Sequence, residues 1–175
     1  MVLVAKKKVF EVEVPIIDQK IAVLATSQDA LSGRVIKIDL TRMLKGKNLD
    51  AAVIIKKDEN GLKGEFLYLK LMPSFIRRVI RKSSSYVEDS FSAKTKDGEV
   101  IIKPYLLTRK MVHRSIRKAL RNRAREVIIE VLKNRSTQEA FDIVLTSELQ
   151  REVSVNLKKI YPLALSEIRV IKLKR

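Results

Sequence analysis

Apolar and polar positions alternate along most of the first half of the chain, and this period of two predicts strands. Val9-Phe10-Glu11-Val12-Glu13-Val14 alternates and stops at Pro15. Ile21 to Ala25 is a short continuous apolar run, which predicts a buried strand. Arg34 to Leu40 alternates again after Gly33. Ala51 to Lys56 and Leu62 to Leu71 flank Asn60-Gly61, and Ser85 to Lys96 and Glu99 to Leu107 flank Asp97-Gly98. Both dipeptides predict tight hairpins, because the two central residues of such a turn need positive φ. Pro104 has no N–H for a ladder, so its strand is expected at an edge or at a bulge.

The second half switches to helical spacing. Pro73 to Lys82 predicts a short helix opened by its proline, with Phe75, Ile76, Val79 and Ile80 on one side and Arg77, Arg78, Arg81 and Lys82 on the other. Thr108 to Asn134 reads as one long helix with Val112, Ile116, Leu120, Val127 and Val131 as its apolar stripe. Ser136-x-x-Glu139 and Ser147-x-x-Gln150 have the spacing of capping boxes and predict two more helices. Pro162 ends the last of these, and Leu165 to Leu173 predicts a closing strand. Strands first and helices after predict an α+β fold. The expected form is a curved or barrel-like, mostly antiparallel sheet of about seven to eight strands under about four helices, one of them long and basic. A single domain is expected over 1–175, β-rich over 1–108 and helical over 109–160, with the closing strand at 164–174.

Charge changes the picture from fold to partner. The 175 residues include 37 Lys and Arg against 20 Asp and Glu, a formal net charge of +17. With 46% hydrophobic residues the chain can bury a core, so this excess sits on a folded body and not on a disordered tail. An excess of this size repels itself unless a polyanion lies alongside. No apolar run is long enough to predict a membrane span, and Met1 to Ala5 is too short for a signal peptide. A soluble, cytoplasmic protein is expected.

The run Arg109 to Arg125 holds eight Lys or Arg and no acid. On a helix, Arg114, Lys118, Arg121 and Arg125 make one stripe. Like charges four apart oppose an isolated helix, and an external phosphate relieves them, with Arg able to grip it through two N–H groups. Candidate RNA-binding residues are therefore Arg109, Lys110, Arg114, Arg117, Lys118, Arg121 and Arg125, then Arg77, Arg78, Arg81 and Lys82. Lys6, Lys7 and Lys8 at one end and Lys172, Lys174 and Arg175 at the other complete the set. The alternative for each is a solvated basic face. Arg123 falls among apolar positions and calls for a carboxylate partner or a snorkelling side chain.

Little supports catalysis. Cys and Trp are absent and His113 is the only histidine, so thiolate, zinc and histidine-centred chemistry have no basis. Glu88, Asp89, Asp97 and Glu99 are scattered, which argues against a two-metal site. Gly33, Gly46, Gly61, Gly64 and Gly98 are isolated and form no phosphate-binding loop. No cofactor, metal, membrane or small-molecule substrate is expected. The few aromatics fit a core better than a base-stacking platform, which points to recognition of RNA shape and backbone.

Several blocks resemble a known family, in order along the chain. They are Val9 to Pro15, Leu31-Ser32-Gly33-Arg34-Val35 with the strand to Leu40, Lys94-Thr95-Lys96-Asp97-Gly98, Ile116-Arg117-Lys118, and Ile160-Tyr161-Pro162-Leu163 before a basic strand. Together they resemble the eS-one (also S-three-A-e) family of small-subunit ribosomal proteins. Family members carry a longer basic N-terminal arm, and eukaryotic ones a C-terminal extension, so the resemblance is to the archaeal type. It implies a non-enzymatic constituent of the small ribosomal subunit in the cytoplasm. The implied position is the platform near the messenger RNA exit, against ribosomal RNA and neighbouring ribosomal proteins, with mRNA or initiation factors as further partners. The alternative is a free RNA-binding or RNA-chaperone factor associated with translation.

Overall fold

The computed structural model describes residues 7–42, 44, 47–58 and 61–174. Expectations for Lys6, Gly46, Asn60 and Arg175 lie outside these residues. The described residues form an α+β fold with four α-helices and nine strands in a mostly antiparallel, open sheet. They cluster into two compact units.

The first unit takes in residues up to Ile38 and Ala51–Leu67. Strand β1 (Lys8–Val14) pairs antiparallel with β2 (Gln19–Ala25). A 3-10 turn at Pro15–Ile17 joins them, closed by Asp18 in the left-handed region (φ 47°), a conformation Asp tolerates better than most residues. Val12 and Val14 point inward, while Glu11 and Glu13 stay outside against Lys20. Strands β3 (Val35–Asp39), β4 (Leu49–Asp58) and β5 (Gly61–Leu71) follow. β4 pairs with β3 and β5, and β1 runs parallel to β5 at Glu13 and Lys63. Gly61, just after the β4–β5 connection, has φ +136°, which suits glycine alone. Val12, Ala25, Leu31, Ile55 and Leu62 form one buried cluster of this unit's core, with Phe10, Val23 and Ile36 packed on it.

Strand β2 differs from its expectation. Only Ala25 is buried, and Leu24 is 58% exposed opposite Val9 at 63%. Among the described residues β2 pairs with β1 alone, so alternate side chains of the apolar run turn to solvent.

Gly64 marks a close approach. A Cβ there would stand 2.5 Å from Val53 Cγ1 and 2.9 Å from Val14 Cγ2. Gly64→Ala is expected to destabilise by about 1–3 kcal/mol through overpacking, read as a lower urea midpoint at unchanged slope.

The second unit contains residues 39–50 and 68 onward. Strand β9 (Leu163–Leu173) lies between the end of β5 and β8 (Glu99–Thr108), with Ile171 opposite both Leu69 and Ile102. The strand expected over Ser85 to Lys96 is broken into β6 (Tyr86–Glu88) and β7 (Phe91–Lys94), both paired with β8. The break faces Pro104. Glu88 pairs with Tyr105 and Phe91 with Ile102, which leaves Asp89 and Ser90 across from Lys103 and Pro104. Pro104 cannot donate there, and the Ser90 N–H turns to the Asp89 carboxylate at 2.9 Å. The β8–β9 register also shifts at Lys103/Pro104, so Pro104 sits at a bulge in a strand flanked on both sides and not at an edge. Asp97-Gly98 does not form the expected two-residue turn. Thr95 to Gly98 make a four-residue loop between the paired Lys94 and Glu99, closed by the Thr95 N–H and hydroxyl on the Gly98 carbonyl, both at 2.9 Å. Gly98 is not among the positive-φ glycines.

Helix α1 (Pro73–Val79) opens at its proline and stops before the expected Lys82, because Ile80 is already extended. Helix α2 (Arg114–Lys133) starts later than the expected Thr108. Thr108 instead ends β8, fully buried, with its hydroxyl within hydrogen-bond distance of the Ser85 and Lys110 carbonyls. The Ser85 hydroxyl accepts the Val112 N–H at 3.2 Å, so Arg109 to His113 form a loop. Helix α3 (Thr137–Leu145) has the expected capping box between Ser136 and Glu139. Helix α4 (Glu148–Leu157) does not have the one expected at Ser147. Ser147 sits at φ 65° and accepts from Lys47 Nζ at 3.0 Å, while Gln150 donates to the Val144 carbonyl. Lys47 also pairs at 2.7 Å with Glu167, which is 6% exposed.

α2 packs on α4, β6 and β7, and α4 packs on β9. The buried face of α2 is Leu120, Ala124, Val127, Ile128 and Leu132. The expected stripe is corrected accordingly. Val112 precedes the helix, and Ile116 and Val131 are half-buried flanks.

Candidate nucleic-acid interface

Burial of Leu120, Ala124, Val127 and Ile128 turns Arg114, Arg117, Lys118, Arg121 and Arg125 outward. Helical spacing then lines these five cations along one groove of about 920 Å³, completed by Tyr86, Asp89, His113, Ser115 and Asn122. Among the described residues no carboxylate forms an ion pair with Arg114, Arg117, Lys118 or Arg121. Uncompensated like charges in a groove focus a positive potential and concentrate anions.

Arg125 is different. Its Nε and Nη2 donate to the Asp89 carboxylate at 2.8 to 3.1 Å, and its guanidinium lies 5.4 Å from the centre of the Phe91 ring. The side chain of Asp89 is only 13% exposed. This charge-assisted fork gives Arg125 a counterion inside the protein. Arg123 finds the carboxylate partner its position called for, Glu126 at 2.9 Å, away from the groove.

At the N-terminus of α2, His113 Nδ1 accepts the Ser115 N–H at 3.4 Å and faces the Ser115 hydroxyl at 3.0 Å. The lone histidine is thus a cap. Among the described residues no group of His, Cys, Asp or Glu could hold a metal ion.

The loop at Arg109–His113 divides the basic run. Arg109 leaves the α2 groove and joins Arg78 and Arg81 around a second concavity of about 470 Å³, floored by Thr108, Leu107 and Leu165. Arg78 lies 5.5 Å from the centre of the Phe75 ring. Arg77, Lys82 and Lys110 are exposed but line neither concavity. Lys7 and Lys8 are exposed at the start of β1. Lys174 pairs with Glu99 at 2.7 Å, which holds the Glu99 carboxyl below its ordinary range.

A third basic surface was missed by the sequence reading. Lys70, Lys103, Arg169 and Lys172 gather around a concavity of about 530 Å³ with Glu88 and Asp89, and Arg169 pairs with Glu88 at 2.8 Å. Only Lys172 was expected. The others are single basic residues alternating with apolar ones on three different strands, a pattern any solvated sheet face shows. No helix of the described residues is long and apolar enough to cross a membrane.

The chain is similar to proteins already described. A segment of 110 residues is 30% identical to the small ribosomal subunit protein eS1 of Nanoarchaeum equitans, covering 62% of this chain and 56% of that protein. A segment of 124 residues is 32% identical to the protein of the same name from Saccharolobus islandicus, covering 68% of this chain and 58% of the relative. The Saccharolobus solfataricus protein matches to the same extent. The chain spans a little over half the length of the curated relatives it matches. The model of the Ribosomal S3Ae family matches residues 3–175, and the chain belongs to that family.

Proposed function

We propose that the chain is a structural, non-catalytic constituent of the small ribosomal subunit that binds ribosomal RNA through its phosphates. The observation that carries this reading is the α2 groove, where Arg114, Arg117, Lys118 and Arg121 stand together with no ion-pair partner among the described residues, the groove's Asp89 being taken by Arg125. Unpaired cations gathered in one groove of a folded protein of net charge +17 suit a polyanionic partner, and RNA phosphate meets both the charge and the fork geometry of Arg. The Arg78, Arg81 and Arg109 cluster and the exposed lysines near both ends of the described chain supply further contacts. Family membership and the names of the relatives support the same assignment. The position proposed for it is the subunit platform near the messenger RNA exit, as the resemblance of its sequence blocks implies. Ribosomal proteins are its neighbours there, with mRNA or initiation factors within reach.

Sedimentation of a native cytoplasmic lysate, with the protein detected before and after a high-salt wash, tests this assignment. Near-stoichiometric co-migration with the small subunit that survives the wash is the expected result. Protein at the top of the gradient, or stripped at moderate salt, overturns it in favour of a free RNA-binding factor.

A further inference from the structure

Tyr86 lines the α2 groove, and its position does not fit a core role. It lies on β6, which among the described residues pairs only with β8, and is 56% exposed. One side of its ring faces Tyr105 in a near-parallel stack, with centroids 6.4 Å apart and planes at 18°. Tyr105 is 1% exposed and forms a fixed backing. Burial, with the Glu88 carboxylate nearby, holds the Tyr105 hydroxyl above its ordinary pKa, so the backing ring stays neutral. The rest of the Tyr86 ring is left to a groove walled by Arg114, Lys118 and Arg121, with His113 and Asn122 alongside. An aromatic face supported from behind and framed by phosphate-binding cations is what an unstacked nucleobase requires.

We infer that the α2 groove takes RNA with an unpaired nucleotide whose base stacks on Tyr86, while Arg114, Lys118 and Arg121 hold the flanking phosphates. This rests on the proposed RNA binding and adds a preference that phosphate contacts alone do not give, since backbone contacts position RNA without distinguishing bulged from paired segments. It makes Tyr86 an exception to the expectation that core packing explains most of the aromatics better than a base-stacking platform.

The test uses the full chain and two RNA hairpins, one carrying a single bulged 2-aminopurine and one fully paired. The expected result is tighter binding of the bulged hairpin by about tenfold, within the range one stacked base contributes, with quenching of 2-aminopurine fluorescence. Tyr86→Leu should remove the preference and the quenching. Tyr86→Phe, which keeps the ring, should retain both. Equal binding of the two hairpins by the unaltered protein overturns the stacking site and leaves the phosphate-binding reading intact. Equal weakening of both hairpins by Tyr86→Leu also overturns it, by making the ring a structural support. Failure to bind either hairpin overturns the RNA-binding reading itself, and the stacking site with it.

Discussion

Replacing Arg114, Lys118 and Arg121 together by Gln is expected to weaken RNA binding on the order of a hundredfold, taking about 1 kcal/mol for each phosphate contact. The salt dependence should change with it. Each neutralised phosphate contributes about 0.7 to 0.9 to the slope of log affinity against log salt, so three lost contacts should lower that slope by about 2 to 3. Stability should move the other way. The three side chains are exposed and have no ion-pair partner among the described residues. Arg114 and Lys118, and Arg117 and Arg121, are like charges four apart on α2, each pair worth a few tenths of a kcal/mol against the helix. Thermal unfolding of the triple variant should therefore start no lower than that of the unaltered protein. Titration against RNA at several salt concentrations, with a melting curve, reads both signs. Unchanged affinity and slope would remove the groove from the binding surface. Arg125 is left out of the variant because its loss would strand the Asp89 carboxylate and confuse binding with stability.

Leu120→Ala is expected to cost about 2–5 kcal/mol. Leu120 is fully buried on the face of α2 opposite the cations, and truncating it leaves a cavity where the helix meets its support. A denaturant midpoint measures the loss. At low temperature, where the variant stays folded, its RNA affinity should lie within about twofold of the unaltered protein, because no charge has moved. A cost below about 1 kcal/mol would mean that α2 is not anchored at this residue.

These two faces show how far the sequence could be read. The basic face of α2 and two residues of its buried face, Leu120 and Val127, follow from spacing within one segment, as do the alternation of β1 and the Ser136–Glu139 box. The start of α2 was not legible, because nothing between Arg109 and His113 opposes a helix. The residues are held as a loop by Thr108 and Val112 bonding to Ser85, more than twenty positions earlier. The same kind of distant contact takes Ser147 away from its cap, through Lys47 a hundred residues before it. It also joins Arg109 to Arg78 and Arg81 and assembles Lys70, Lys103 and Arg169 on one surface. Local pattern thus disclosed the elements and the main charged face. Register and folding back of the chain decided which charges share a concavity. The broken strand at Asp89 belongs to both classes, since Pro104 was visible as a ladder breaker but its position across from Asp89 was not.

The fork between Arg125 and Asp89 also bears on how such a chain can change over generations. Lost alone, Arg125 would subtract a cation from the groove and expose a carboxylate where a phosphate has to approach. Lost alone, Asp89 would free Arg125 from its place over Phe91 and add a charge to a helix already crowded with them. Each single step carries a penalty that the double step avoids. Across relatives, then, these two positions, 36 residues apart, should be kept or exchanged as a pair, whereas Arg114, Lys118 and Arg121, which pair with no carboxylate among the described residues, are free to vary only as the RNA beside them allows.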